Sequence, residues 1–197
     1  MKKLFALLLL PSMFTTGFAA AESQVEEFLN QTKPNIFSYD YIESNFVAQN
    51  NMGVGFNLNG SYDIKPNFAL IGGLQYTTKD DIDYTTISAG AAYHRQIAAQ
   101  DIPGLDLVAH AELQQAFADT PSNDLSDFGI KLGAGIRYHV DSKLETFGDF
   151  SVTTTGNSAI IISGGARYTF AENLSAQAGY AFSDNNTLNI GIRYQFK

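Results

Sequence analysis

The sequence predicts an all-β chain: a transmembrane antiparallel up-and-down β-barrel of ten strands, preceded by a short helical or irregular segment. Three observations point there. Runs of about ten residues alternate apolar and polar side chains, as in Thr187 to Phe196, where Leu188, Ile190, Ile192, Tyr194 and Phe196 interleave with Thr187, Asn189, Gly191, Arg193 and Gln195. The polar members of such runs include charges while the apolar members end in aromatics, which suits a wall between hydrocarbon and water. Finally, a strand ending recurs: Gly-x-x-Tyr at Gly90–Tyr93, Gly135–Tyr138, Gly165–Tyr168 and Gly191–Tyr194, with Arg137, Arg167 and Arg193 directly before the last three tyrosines.

The chain opens with Lys2 and Lys3, an apolar run from Leu4 to Leu10 and a small-residue tail ending Ala19-Ala20-Ala21. This reads as a secretory signal peptide over residues 1–21, too short in its apolar part to span a bilayer as a helix. Two of the 12 basic residues and none of the 20 acidic ones lie there, so the mature chain carries a formal charge of −10, which argues against nucleic acid as a partner. Cysteine is absent, so strand pairing rather than cross-linking must supply stability. Trp is absent too, and the 15 Phe and 10 Tyr must form any interfacial belt. Residues 22–34 place Val25, Phe28 and Leu29 at helical spacing before Pro34, which suits a short amphipathic helix or an irregular periplasmic or plug segment.

From residue 35 to 197 the strands follow in order. The first, Ile36–Phe46, blurs at Ile42 and Glu43, where a bulge is expected. The second is Met52–Asp63, closed by the Lys65-Pro66-Asn67 turn. The third, Phe68–Thr77, leads through an acidic loop, Lys79–Asp83, to the fourth, Tyr84–Arg95. A connector, Ala98–Gly104, precedes the fifth, Leu105–Phe117. A longest loop, Asp119–Asp127, precedes the sixth, Phe128–Val140. The seventh, Leu144–Thr154, alternates except at Phe147, which falls on the polar side. The eighth, ninth and tenth are Ala159–Phe170, Leu174–Phe182 and Thr187–Phe196. Were the weak first or seventh run to fail, parity would remove a neighbour with it and leave eight strands.

Short turns after strands two, six and eight and longer ones after three and five would put the former in the periplasm. Tyr62, Tyr93, Tyr138, Tyr168 and Tyr194 then share one depth, as a periplasmic aromatic girdle. The polar faces gather Lys131, Arg137, Arg167, Arg193, Glu112, Glu145, Asp149 and His110 into a lumen charge network, with His94, His139, Asp63 and Asp106 beside it. Such charges must pair or meet water. Ten strands lie nearer the filled interior of eight-stranded barrels than the aqueous bore of sixteen, so salt bridges holding a rigid barrel are weighed against a narrow charge-lined passage. His110 and Glu112 share one strand face and could polarise a Ser or water, or simply join a lumen hydrogen-bond network. The Gly-rich phrases, such as Gly133-Ala134-Gly135, lack a following helix and read as room for large lumen neighbours or strand bends.

On these residues the chain resembles small bacterial outer-membrane β-barrel proteins, the group that includes OmpX and the membrane domain of OmpA, with porin-like features. The resemblance covers about Asn35 to Phe196. Its sharpest element is a terminal assembly signal matched by Asn189, Gly191, Tyr194 and Phe196, although Lys197 extends the usual aromatic ending. The resemblance implies the outer membrane of a Gram-negative cell, contact with lipid and lipopolysaccharide, the barrel-insertion machinery during biogenesis, and a monomer. A soluble, lipocalin-like barrel is the alternative, but its water-facing side would be Gly-rich and poor in Lys and Glu. The expectation is a structural or envelope protein without catalytic activity, cofactor or metal. The alternatives are a narrow porin-like channel for small solutes, and a lipid A-modifying or proteolytic enzyme like others built on small barrels.

Overall fold

The computed structural model describes residues 37–97, 104–121, 123–156 and 158–196. The expected signal peptide, the segment 22–34, Lys197 and most of the Ala98–Gly104 connector lie outside the described residues.

Among the described residues ten strands form: β1 (Tyr41–Gln49), β2 (Gly53–Lys65), β3 (Phe68–Lys79), β4 (Ile82–Ile97), β5 (Leu105–Thr120), β6 (Asn123–His139), β7 (Leu144–Thr153), β8 (Ala159–Ala171), β9 (Leu174–Phe182) and β10 (Thr187–Gln195). Each pairs antiparallel with its sequence neighbours, and β1 closes on β10. Closure leaves no sheet edge along the barrel wall, so backbone donors and acceptors are paired around the full circumference, as hydrocarbon demands. The seventh run is a full strand, so ten strands stand and eight do not. No helix of the described residues is long and apolar enough to cross a membrane.

The alternation sets the two faces. Ile42, Leu58, Leu70, Leu113, Leu132, Ile136, Ile162 and Ile192 are exposed on the outside, whereas Glu43, Arg137, Glu145, Arg167 and Arg193 are buried within. At a rise of ~3.4 Å per residue and a tilt of ~40°, the ten steps from Tyr138 to Phe128 on β6 span about 25 Å, the height of a bilayer's apolar band. We call the end where β1 starts and β10 stops the terminal end, and the opposite one the far end.

Three expectations are corrected. β1 begins at Tyr41, not Ile36, and its register with β2 and β10 runs unbroken through Ile42 and Glu43, so no bulge sits there. The Lys79–Asp83 loop is a two-residue turn: Asp80 and Asp81 both adopt positive φ (51° and 64°), the geometry that lets a tight hairpin match the strand twist, and β3 and β4 pair out to Lys79 and Ile82. The Asp119–Asp127 loop is mostly strand, with Asp119 opposite Asp124 and Thr120 opposite Asn123. Above the apolar band both faces of a strand meet water, so alternation disappears although pairing continues. With these hairpins closed tightly, turn length no longer distinguishes the two ends.

Candidate functional site

The interior is organised by cross-strand pairs of opposite charge. Directly opposite residues include Asp106 and Arg137, and Glu112 and Lys131, on β5–β6. Glu145 faces Arg167 on β7–β8, and Glu43 faces Arg193 across the β1–β10 closure. Opposite neighbours in a ladder have Cβ atoms about 5 Å apart, so each pair meets without strain.

Near the terminal end these pairs fuse into a layer. Arg137 donates through Nε and Nη2 to the two oxygens of Glu145, both at 2.9 Å, and Arg167 donates to Glu145 Oε1 at 2.5 Å. Arg193 donates to Glu43 Oε2 through Nε and Nη2 at 2.9 and 2.6 Å, and its guanidinium carbon lies 3.4 Å from the centre of the Tyr41 ring. A string of amides joins the two clusters: Arg167 donates to Gln177 Oε1, Gln177 to Asn45, Asn45 to Asn57, and Asn59 to Glu43. Three guanidiniums thus share two carboxylates in one bonded network that crosses the closing seam.

Beneath this layer, the chain ahead of β1 turns Phe37 and Tyr39 inward, and Asp40 accepts the Phe196 amide at 2.8 Å at the closing seam. Phe37 and Tyr39 are 3% and 4% exposed, packed with Ala69. The Tyr39 hydroxyl donates to Asp106 Oδ2 at 2.5 Å, its ring stacks on His94 at 3.6 Å, and Arg137 lies over the Phe37 and Tyr39 rings at 4.8 and 4.6 Å. His94 in turn meets Asp63 at 3.0 Å, and Phe37 lies 4.4 Å from the His139 ring.

Above the layer the lumen is open. A cavity of about 1030 Å³ extends from a floor of Tyr39, Tyr41, Glu43, Glu145 and the three arginines to residues at the far rim such as Asn51, Asp127 and Asp184. One wall carries Asn45, Asn57, Asn59 and Gln75. Another carries a second charge cluster: His110 Nε2 meets Asp149 Oδ2 at 2.9 Å, His110 Nδ1 lies 3.2 Å from Glu112, and Lys131 lies 3.3 Å from the same carboxylate. The third is less polar, with Phe147, Ile161 and Ala181. The glycines make room. A Cβ on Gly133 would strike His110 and Ser151, and one on Gly165 would stand 2.7 Å from the Phe147 ring, over which Arg167 sits at 5.3 Å.

All eight residues expected in the lumen network face inward, but as two groups rather than one. Arg137, Arg167, Arg193 and Glu145 form the floor layer, while His110, Glu112, Lys131 and Asp149 stand higher on the β5–β7 wall. Tyr62, Tyr93, Tyr138, Tyr168 and Tyr194 lie on the outer face towards the terminal end. Asn189 and Gly191 face inward and Tyr194 and Phe196 outward, their rings edge to face at 5.4 Å. Gly191 abuts Ser44 and Asn45 so closely that no Cβ fits, which gives it a role in closing β1 on β10. Sequence reasoning missed Glu43, Tyr39 and the amide string. For Glu43 the signal was present, since Tyr41, Glu43, Asn45 and Gln49 alternate in phase.

No family model matches the chain, and no curated protein matches its sequence. Solved structures resemble it in fold. The KdgM porin is 13% identical, covering 80% of this chain and 99% of its own, with a TM-score of 0.48. The NanC porin is 8% identical over 79% and 100%, with a TM-score of 0.46. Ail of Yersinia pestis is 14% identical over 79% and 94%, with a TM-score of 0.37. An apolar exterior around a polar, ion-paired interior is the inside-out arrangement of a transmembrane β-barrel.

Proposed function

We propose that this outer-membrane barrel is a narrow channel for small polar solutes, which enter the well from the far end. The observation that carries this reading is the unfilled space: an open well of about 1030 Å³ whose wall carries ion pairs and amides among apolar side chains, where a barrel serving only as a rigid post would be packed throughout. At ~30 Å³ per molecule it holds some tens of waters, enough to hydrate a small solute in transit. The salt-bridged filling expected of a structural barrel is confined to the layer around Glu145 and the segment beneath it. In this reading the far end faces outwards and the terminal end the periplasm. The barrel works as a monomer, with lipid and lipopolysaccharide against its apolar face.

No catalytic role is assigned to His110. Its ring nitrogens lie 2.9 and 3.2 Å from the carboxylates of Asp149 and Glu112, which supports reading it as part of the charge cluster on the wall. Planar-bilayer recording of the refolded chain tests the channel. Discrete conductance steps are expected, and Arg193→Gln, which leaves the Glu43 carboxylate short of its partner, shifts selectivity towards cations. A silent bilayer with correctly folded protein would return the barrel to a purely structural role.

A further inference from the structure

We infer that residues 37–39 are a removable plug, and that conductance is regulated by whether Phe37 and Tyr39 occupy the terminal end of the lumen. This rests on the channel reading above. The division between what can leave and what cannot falls at Asp40. Its carbonyl accepts the Phe196 amide at 2.8 Å and its Oδ1 the Asp63 amide at 2.7 Å, and from Tyr41 on β1 is held along its whole length by ladders to both β2 and β10. Residues 37–39 are held through side chains: the Tyr39 hydroxyl on Asp106, and Arg137 over two rings and at 3.4 Å from the Ser38 carbonyl.

The socket is the wrong chemistry for a permanent core. Alongside Ala69 and Val108, the groups around the two rings include His94, Asp106, Arg137 and His139. A structural aromatic pair packs among apolar side chains, and its removal leaves a dry void. Here departure exposes two imidazoles, a carboxylate and a guanidinium, all of which water can satisfy. Hydration of the socket therefore offsets much of the packing given up when the rings leave, and the wall stays in place because its ladders do not involve residues 37–39. Withdrawal towards the terminal end would leave a polar passage from that end up to the arginine layer.

The test exploits the absence of native cysteine. Ala69→Cys puts a thiol beneath the rings, in a position 0% exposed. It is introduced into the full chain alone and together with Phe37→Ala and Tyr39→Ala, after bilayer recording has established that the single variant conducts as the native chain does. Labelling by a charged methanethiosulfonate is expected to be slow in the single variant and about tenfold or more faster in the triple one, because the rate follows the open fraction. Conductance is expected to rise severalfold in parallel. If the triple variant does not refold, Tyr39→Phe, which deletes only the bond to Asp106, is expected to raise both readouts by a smaller factor. Faster labelling with no current in any variant would uphold the removable segment and overturn the channel. Current that is unchanged on removing the rings, with labelling unchanged, would overturn the plug and leave the channel standing.

Discussion

Replacing Glu145 by alanine removes the carboxylate that Arg137 and Arg167 share. Arg137 holds both of its oxygens at 2.9 Å and Arg167 holds one at 2.5 Å, and all three side chains are at most 9% exposed. Two cations would then remain in a confined layer with only Glu43 and Asp106 near them. Breaking a buried pair by deleting one partner costs about 3–5 kcal/mol. The floor of the well meets water on its upper side, which places Glu145→Ala near the low end of that range. Equilibrium urea unfolding of the barrel in lipid vesicles, followed by loss of β circular dichroism, measures it. The paired variant Arg137→Ala with Glu145→Ala should cost less than the sum of the two single changes, because no orphaned charge of that pair is left. A loss below about 1 kcal/mol for Glu145→Ala, in the range of exposed pairs, would mean that the layer is freely hydrated and that it does not fix the barrel as described.

Phe147→Ala takes away a large ring in the well wall, leaving Gly165 and Gly179 facing empty space; unit conductance should rise, at a cost of about 1–2 kcal/mol, less than a core Phe because the ring is partly exposed. Leu132→Arg places a charge on the outer face midway along β6, where Leu132 is 53% exposed, and should cost about 2–4 kcal/mol in lipid; a neutral result would mean that this face does not meet hydrocarbon. At the β6–β7 turn the Asp141 carboxylate accepts the backbone N–H groups of Lys143 and Leu144 at 2.7 and 2.9 Å, which holds its carboxyl below the ordinary range. Its contribution to stability is present above the unfolded pKa and is lost as pH falls through the lowered folded value; an NMR titration should place its inflection below ~3.9.

The barrel was legible in the sequence because lipid enforces a strict two-residue period. Leu105 to Leu113, with Val108 the one lapse, and Phe128 to Tyr138 alternate and appear as β5 and β6 in that phase. Legibility ended where that pressure ended. Asp119 to Asp127 stands above the apolar band, so its strand pairing left no mark on composition. Residues 36–40 looked like strand because Phe37, Tyr39 and Tyr41 alternate, yet only Tyr41 joins the sheet. Alternation by aromatics cannot distinguish a ring facing hydrocarbon from a ring turned into the lumen on Arg137. Phe147 was visible as a breach of the pattern, but its neighbours Gly165 and Gly179 lie on other strands and could not be found by spacing.

The outer face of this barrel cannot by itself set the strand register. A slip of one residue would turn every Leu and Ile inward and is forbidden by lipid. A slip of two keeps the apolar face outside and trades one branched side chain for another at little cost. On the inner face the same slip separates Glu43 from Arg193, Glu145 from Arg167, and Glu112 from Lys131, each now directly opposite its partner. Two of those pairs sit in the layer beneath the well. The charges that constrict the lumen are therefore also those that align the sheet, and the pair at the β1–β10 closure aligns the two strands farthest apart in sequence. A substitution made to widen the passage at Arg193 should accordingly loosen closure as well as alter selectivity, whereas one at Phe147, which takes no part in these pairs, should change the passage and leave the register intact.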